Sequence, residues 1–438
     1  MKRTFVTFAL LIASALSLAS DPVGLKELTA KAIKNHPLLA SARADVETER
    51  AKKSGLTAPF KPQLSLNAYG AAGSGSMIFP GTVEPTNYAL LPTDGTGVLN
   101  GTFMWRLYSF GRDRDLDRSG SAAVKASQAR LSTEELDVAL RVRLAFAEAL
   151  FKRETTLAHH AAHESANEIL KVTQARFEAG KVPEAFVLRA KAEVASALRE
   201  VAMAEADEAR SSASLWEAAG LEQDGTQMLG SWDATLTAPQ SLEMAMKEMM
   251  LQRPELAAFT QEMEQMKLLA SAARKAGLPE LSLMGMNDWM GTRGMSGSST
   301  YKAGLVLSFP VGDGGTRLSE RKTALSGLAK ATASYQVARN HVQAEVVAAW
   351  AEWQASSKIE QSAGAEVIAS EESYRVALLR YQEGKAILAE LTDSQSMLSH
   401  ARLSVAQATA YKRKAWSNLS RAIGASPSEP DNEASHAR

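Results

Sequence analysis

The sequence predicts a mainly α-helical protein with a membrane β part, built as a tandem duplication of one long helical hairpin. A turn motif occurs twice, as Arg176-Phe177-Glu178-Ala179-Gly180 and as Arg380-Tyr381-Gln382-Glu383-Gly384, 204 positions later. A glycine-bearing bend precedes each turn by the same interval: Gly111 and Gly315 both stand 69 residues before the tip glycine. No proline interrupts either interval, and Ala, Leu, Glu, Arg and Lys abound in both, so each reads as roughly 100 Å of near-continuous helix. Before each bend lies a pair of short stretches with strand character, which supplies the β part.

Residues 1–20 begin with Lys2 and Arg3, run apolar from Phe5 to Leu18 and end on small residues at Ala19 and Ser20. That order is a secretory signal, with cleavage expected after Ala19 or Ser20. No later stretch approaches the ~20 apolar residues of a membrane helix. The whole chain balances 49 basic against 49 acidic residues, and loss of Lys2 and Arg3 leaves a net charge of about −2, which gives no support to a nucleic-acid partner. Cysteine is absent, so disulfides, thiolate metal sites, a cysteine nucleophile and a lipidated amino-terminal cysteine are excluded.

The first repeat is expected over 21–220. Its opening helix places Leu25, Leu28, Ala32, Leu39, Ala42 and Val46 broadly on one face, with a break at His36-Pro37. Two strands follow, within 63–70 and 98–108, around a Gly, Ser, Thr and Pro loop at 71–97. The bend at Gly111 then starts the long helix, and Gly180 at the tip allows the positive φ that a helix end needs before the chain turns back. The returning helix carries a heptad seam: Val187, Ala190, Val194, Ala197, Val201 and Ala204. Residues 221–253 read as an inter-repeat segment packed on the long helices.

The second repeat is expected over 254–424. Arg253-Pro254 echoes His36-Pro37, and Pro279-Glu280-Leu281-Ser282-Leu283 echoes Pro62-Gln63-Leu64-Ser65-Leu66, both at a separation of 217. Strands at 280–289 and 301–309 flank a shorter loop, 290–300. Gly314 and Gly315 make the strand-to-helix bend, and Leu391, Leu398, Ala401, Val405 and Ala408 form the second seam, interrupted at Ser394. The tail, 425–438, is polar and expected to be disordered. Strands of about nine residues suit a tilted bilayer crossing, but four of them cannot close a barrel, so several chains must contribute to a shared one.

Other signals have simpler readings. His159, His160 and His163 have metal-like helical spacing without an obvious further ligand, so solvated histidines are the preferred reading. Ten methionines between Met244 and Met295 fit adaptable packing better than soft-metal traffic. Gly312-Asp313-Gly314-Gly315 lacks the Lys-Ser or Lys-Thr of a phosphate loop. With no defensible catalytic arrangement, the chain reads as a non-enzyme without a cofactor or bound metal.

The duplicated set, Leu107-Tyr108-Ser109-Phe110-Gly111-Arg112, Phe309-Pro310-Val311-Gly312-Asp313-Gly314-Gly315 and the two Arg-aromatic-x-x-Gly tips, resembles the TolC-like outer-membrane efflux protein family from Leu25 to Gly424. The resemblance implies a homotrimer in the outer membrane of a Gram-negative bacterium. Three chains would form a trimeric α-barrel tunnel, a long periplasmic extension, joined to a shared 12-stranded β-barrel. It implies passive conduction in a tripartite efflux or type I secretion system, with a periplasmic adaptor (membrane fusion) protein and an inner-membrane pump of the RND or ABC type. Adaptor docking is implied at the tips, through Arg176, Gly180, Lys181, Val182, Arg380, Gly384, Lys385 and Ala386. The family's cation-binding constriction carries over to Glu390 and Asp393, six and nine residues after the second tip glycine, and its tyrosine to Tyr381. Phe186 stands where the family has an aspartate and Ala386 where it has an arginine, so an apolar contact through Phe186 is expected in place of the polar lock. The rival reading is a soluble periplasmic coiled-coil scaffold or adaptor, which would carry one central hairpin rather than a tandem duplication.

Overall fold

A computed structural model describes residues 22–71, 76–79, 89–92, 96–222, 229–292 and 297–425. The expected leader, the tail beyond 425 and parts of the 71–97, 221–253 and 290–300 segments lie outside the described residues. The first repeat runs α1 (Leu25–Asn35), α2 (Pro37–Thr57), β1 (Gln63–Ala71), β2 (Ser76–Phe79), β3 (Ala89–Pro92), β4 (Thr96–Tyr108), α3 (Arg112–Glu178) and α4 (Glu184–Ala219). It is followed by α5 (Leu242–Gln252), α6 (Pro254–Lys275), β5 (Glu280–Thr292), β6 (Ser298–Ser308), α7 (Thr316–Gln382) and α8 (Leu388–Ile423). The long helices α3 and α7 have 67 residues each, and α4 and α8 have 36 each.

The duplication extends further than the sequence motifs indicate. α1 and α5 are both 11 residues long and lie 217 positions apart. Their buried residues correspond as well: Leu28 with Ala245, and Ala32 with Met249. α5, expected as part of an inter-repeat excursion, is therefore the counterpart of α1. Each of these helices stops for the same reason. Proline disfavours helical geometry in the residue before it, and His36 (ψ 129°) and Arg253 (ψ 112°) are both extended.

The chain divides into two compact units. One holds the described parts of 1–39, 135–249 and 345–438. In it the segment after α4 is fixed by Trp232, whose ring centroid lies 6.2 Å from that of Phe146 and 6.0 Å from that of Trp416. Trp416 Nε1 donates to the Thr237 carbonyl at 2.7 Å, and Arg153 donates to the Leu229 carbonyl at 2.8 Å. Gly230 donates to the Val23 carbonyl at 3.0 Å, and a Cβ on Gly230 would come within 2.9 Å of that oxygen.

The other unit, 40–134 and 250–344, carries the sheet. Its strands are antiparallel in the order β1-β4-β5-β6, so the two repeats meet at β4 and β5, and β1 and β6 are the edges. The register sorts side chains by face, because residues opposite one another share a side. Leu64, Leu66, Leu99, Phe103, Trp105, Leu281, Leu283, Trp289, Tyr301, Leu305 and Leu307 fall together on one face. The other takes Ser65, Asn67, Asn100, Thr102, Arg106, Asp288 and Lys302, with hydrogen bonds between Ser65 and Thr102 and between Asn100 and Asp288. Met104, Met284, Met286 and Met290 share that second face, along with Tyr69. β6 is exposed along its whole length. Among the described residues Leu64, Leu66, Leu99, Trp105, Trp289, Tyr301, Leu305 and Leu307 of the apolar face are exposed. Exposed apolar side chains opposite a polar face are what a barrel strand presents to lipid and lumen. A separate hairpin of β2 and β3 occupies part of the stretch expected as loop.

Candidate functional site at the hairpin tips

Each tip is built by the same backbone device. After α3, Gly180 at φ 68° donates to the Phe177 carbonyl and Lys181 donates to the Arg176 carbonyl, both at 2.8 Å. After α7, Gly384 at φ 79° donates to Tyr381 at 3.0 Å and Lys385 donates to Arg380 at 2.8 Å. These paired bonds satisfy carbonyls that the helix end would otherwise leave open, and they need a left-handed residue between them.

Beneath the second tip lies a small core of Ile169, Ala377, Tyr381, Ala386, Leu388 and Leu391, against which Val172, Phe186, Tyr374 and Leu378 pack. Tyr381 is the centre of it, only 1% exposed. Thr173 donates its hydroxyl hydrogen to the Ile169 carbonyl at 2.7 Å, so its oxygen is left to accept from the Tyr381 hydroxyl at 3.0 Å. The Arg176 guanidinium stands 4.6 Å from the centre of the Tyr381 ring and donates to the Tyr381 carbonyl. The ends of α3 and α7 are thus joined by a hydrogen bond, a cation–π contact and apolar packing, all converging on one tyrosine.

The residues singled out from sequence fall into two groups. Tyr381 and Ala386 are buried in this core and Phe186 packs on it, so Tyr381 is not free to line an opening, and Ala386, expected on a docking surface, is covered by its own chain. Both follow from the apolar environment that the closing helix α8 creates at Leu388 and Leu391. Arg176 is likewise engaged with Tyr381. Glu390 and Asp393 are exposed, as are Gly180, Lys181, Gly384 and Lys385, while Val182 is half-buried. Glu390 is paired with Arg380 at 2.9 Å, and Lys385 with Glu383 at 2.7 Å. Asp393 has no ion-pair partner among the described residues. Sequence reasoning missed Thr173, Ile169 and the Arg380–Glu390 pair; the only available signal for the last was the arginine of the repeated motif itself.

In the sheet-bearing unit, the strand-to-helix bends sit where equal spacing put them. Gly111 has φ 84°, Gly314 64° and Gly315 93°. Ser109 Oγ accepts the Asp113 amide at 3.1 Å, and Asp313, the equivalent residue 204 later, accepts the Gly315 and Arg317 amides at 3.1 and 2.9 Å. Both are side-chain caps on long helices. The Arg317 amide and guanidinium hold the Asp313 carboxyl below its usual range. At the first bend Glu280 binds Arg112 at 2.7 Å and Arg106 at 3.3 Å. There Lys275 meets Asp115 at 2.6 Å. Burial pushes the Asp115 carboxyl up, but Lys275 and Ser271 outweigh it and the net shift is downward. Among the described residues no group of His, Asp and Glu is arranged to hold a metal; His160 faces Glu205 at 3.2 Å and His163 faces Asn167 at 3.2 Å.

The family described as outer membrane efflux protein matches residues 28–221 and 245–425, and the two matched starts are again 217 apart. Nodulation protein T of Rhizobium leguminosarum bv. trifolii is 24% identical over 334 residues, covering 73% of this chain and 69% of that protein. Among solved structures, the outer-membrane channel OprN is similar at a TM-score of 0.77 and 20% identity, over 92% of this chain and 91% of its own. The outer membrane protein VceC of Vibrio cholerae is similar at 0.76 and 18%, over 91% and 96%. At these identities the likeness to the solved structures establishes a common fold.

Proposed function

Because the chain belongs to the outer membrane efflux protein family, we propose that its hairpin tips are the gated end of the duct, with Glu390 and Asp393 as the charged constriction and the Tyr381 core as the brace behind it. The duct itself comes with the family: an exit channel in the outer membrane with a periplasmic extension, serving tripartite efflux or secretion systems. Such channels are not enzymes; they form trimers and work with an adaptor and an inner-membrane pump. The finer reading is a pump of the RND or ABC type, an adaptor that meets Gly180, Lys181, Val182, Gly384 and Lys385, and a 12-stranded barrel closed by three four-stranded sheets. Repeat boundaries at 22–220 and 242–424 accompany it.

The observation that carries the gate is the contrast at one turn: Tyr381 is buried while Glu390 and Asp393, on the first turns of the next helix, are exposed. Threefold symmetry would bring six such carboxylates together and attract cations to them. Single-channel conductance in a planar bilayer tests this. Divalent cations should block the wild-type protein from the tip side and lose their effect on Glu390→Gln with Asp393→Asn. Equal block of both proteins would remove the constriction from these residues.

A further inference from the structure

The sheet-bearing unit contains a groove of about 740 Å³ that conduction does not explain, between α2 and the first turns of α3. Arg50, Lys53, Lys61 and Lys125 line it, with Asp117 the single carboxylate among the lining residues. Arg50 is held by Glu47 at 2.5 Å, and Lys53 approaches Asp117 at 3.5 Å. Lys61 and Lys125, both exposed, have no ion-pair partner among the described residues. One comes from the end of the α2 segment and the other from α3, and hydroxyls of Ser54, Thr57 and Ser121 lie among them. Those hydroxyls donate to the Arg50, Lys53 and Asp117 carbonyls, so the lysines, with three donors each, are the groups that suit an anion offering several oxygens.

The second repeat shows that helix packing does not demand these charges. At the separations of 217 and 204, Lys53, Lys61 and Lys125 become Ala270, Leu278 and Ala329, and two cations stand elsewhere instead, Arg274 at the position of Thr57 and Arg321 at that of Asp117. The first repeat also makes room for its lysine: a Cβ on Gly120 would stand 2.8 Å from Lys53 Cγ, and the counterpart of Gly120 is Ala324.

The location selects the anion. Lys61 lies two residues before β1, where Leu64 and Leu66, on the apolar face of the sheet, are 81% and 70% exposed. Phe60 lines the groove and Leu56 is exposed beside it. Given the family reading, on which this step rests, that end of the strands is the level of phospholipid headgroups in the leaflet facing the helices. We propose that the groove binds the phosphate headgroup of an anionic phospholipid of that leaflet, with Lys61 and Lys125 as its main ligands and the acyl chains rising along the apolar face of the sheet.

The test is native mass spectrometry of the full-length assembly in neutral detergent, titrated with phosphatidylglycerol, phosphatidylcholine or inorganic phosphate. Phosphatidylglycerol should bind saturably and more tightly than phosphatidylcholine. Lys61→Gln with Lys125→Gln should weaken it on the order of tenfold, as expected for two lysines at an anionic surface, and Lys267→Gln, at the position matching Arg50, should leave it unchanged. Equal binding of the two lipids, equal binding by wild type and the double variant, or full displacement by inorganic phosphate would each overturn the lipid site. Conductance of the same preparations is read in parallel. Unchanged lipid binding in a conducting double variant overturns the site alone, whereas a wild-type protein that cannot conduct overturns the duct reading and the site with it.

Discussion

Tyr381 combines two kinds of interaction that substitution can separate. Removing the hydroxyl in Tyr381→Phe breaks the bond to Thr173, but Thr173 still donates to Ile169, so no buried donor is orphaned and the cost should be about 1 kcal/mol. Tyr381→Ala also empties the centre of the core and removes the ring beneath Arg176, a loss of about 3–5 kcal/mol in a packed site. Denaturant unfolding should rank the two in that order, and if the core braces the gate, mean open time in the bilayer should rise in the same order. His36 gives a second residue-scale expectation. It is 7% exposed, its Nδ1 accepts the Leu38 amide at 3.2 Å, and burial, then the charge of Arg141, lowers its pKa below 6.5. The unfolded chain therefore binds this proton at a higher pH than the folded one does. The contribution of His36 to stability is complete above about pH 6.5 and declines as pH falls through that value towards the lowered folded pKa. Thermal melts at pH 7.5 and 5.5 should show a decline that is smaller in His36→Gln.

Among the elements, the long helices depend on how they start as well as on their length. Ser109 is buried and caps α3, so Ser109→Ala should destabilise by about 1 kcal/mol. Ser109→Asp, which copies Asp313 of the second repeat, should retain most of the stability. Hydrogen exchange of the Asp113 amide reports the cap directly, and unchanged protection in Ser109→Ala would mean that the cap is unimportant. What could be read from sequence at this scale follows what is local. The tips and bends were legible because a positive-φ glycine marks its own position and equal spacing repeats it. The role of α5 was not legible: it falls in the stretch 221–253 expected as an inter-repeat segment, and its correspondence with α1 lies in which positions are buried, Leu28 with Ala245 and Ala32 with Met249, rather than in residue identity. β2 and β3 were hidden in a stretch rich in Gly, Pro and Thr. The partner of Tyr381 could not be read either, because Thr173 is 208 positions away and the register of one helix against another is not written in either helix alone.

For the whole molecule, the sheet states a requirement that the single chain does not meet. β1 and β6 are edges, and an unpaired edge beside an apolar, lipid-suited face is not tolerated in a bilayer, where each open amide costs several kcal/mol. The trimer meets it if β6 of one chain pairs with β1 of the next, and the same step closes the barrel. The absence of native cysteine makes this testable without background. Single cysteines placed along β1 at Ser65, Asn67 or Tyr69, each combined with one along β6 at Thr300, Lys302 or Gly304, should oxidise to covalently linked chains at one register and not at its neighbours. Pairing between successive chains predicts linked dimers and trimers on denaturing gels, with no ladder beyond three. In contrast, linkage within one chain would require the two edges of the same sheet to meet, which β4 and β5 lying between them in the strand order prevent. Failure of every register to link in outer-membrane preparations would mean that the edges are satisfied by something other than a neighbouring chain, and the three-chain barrel would have to be given up.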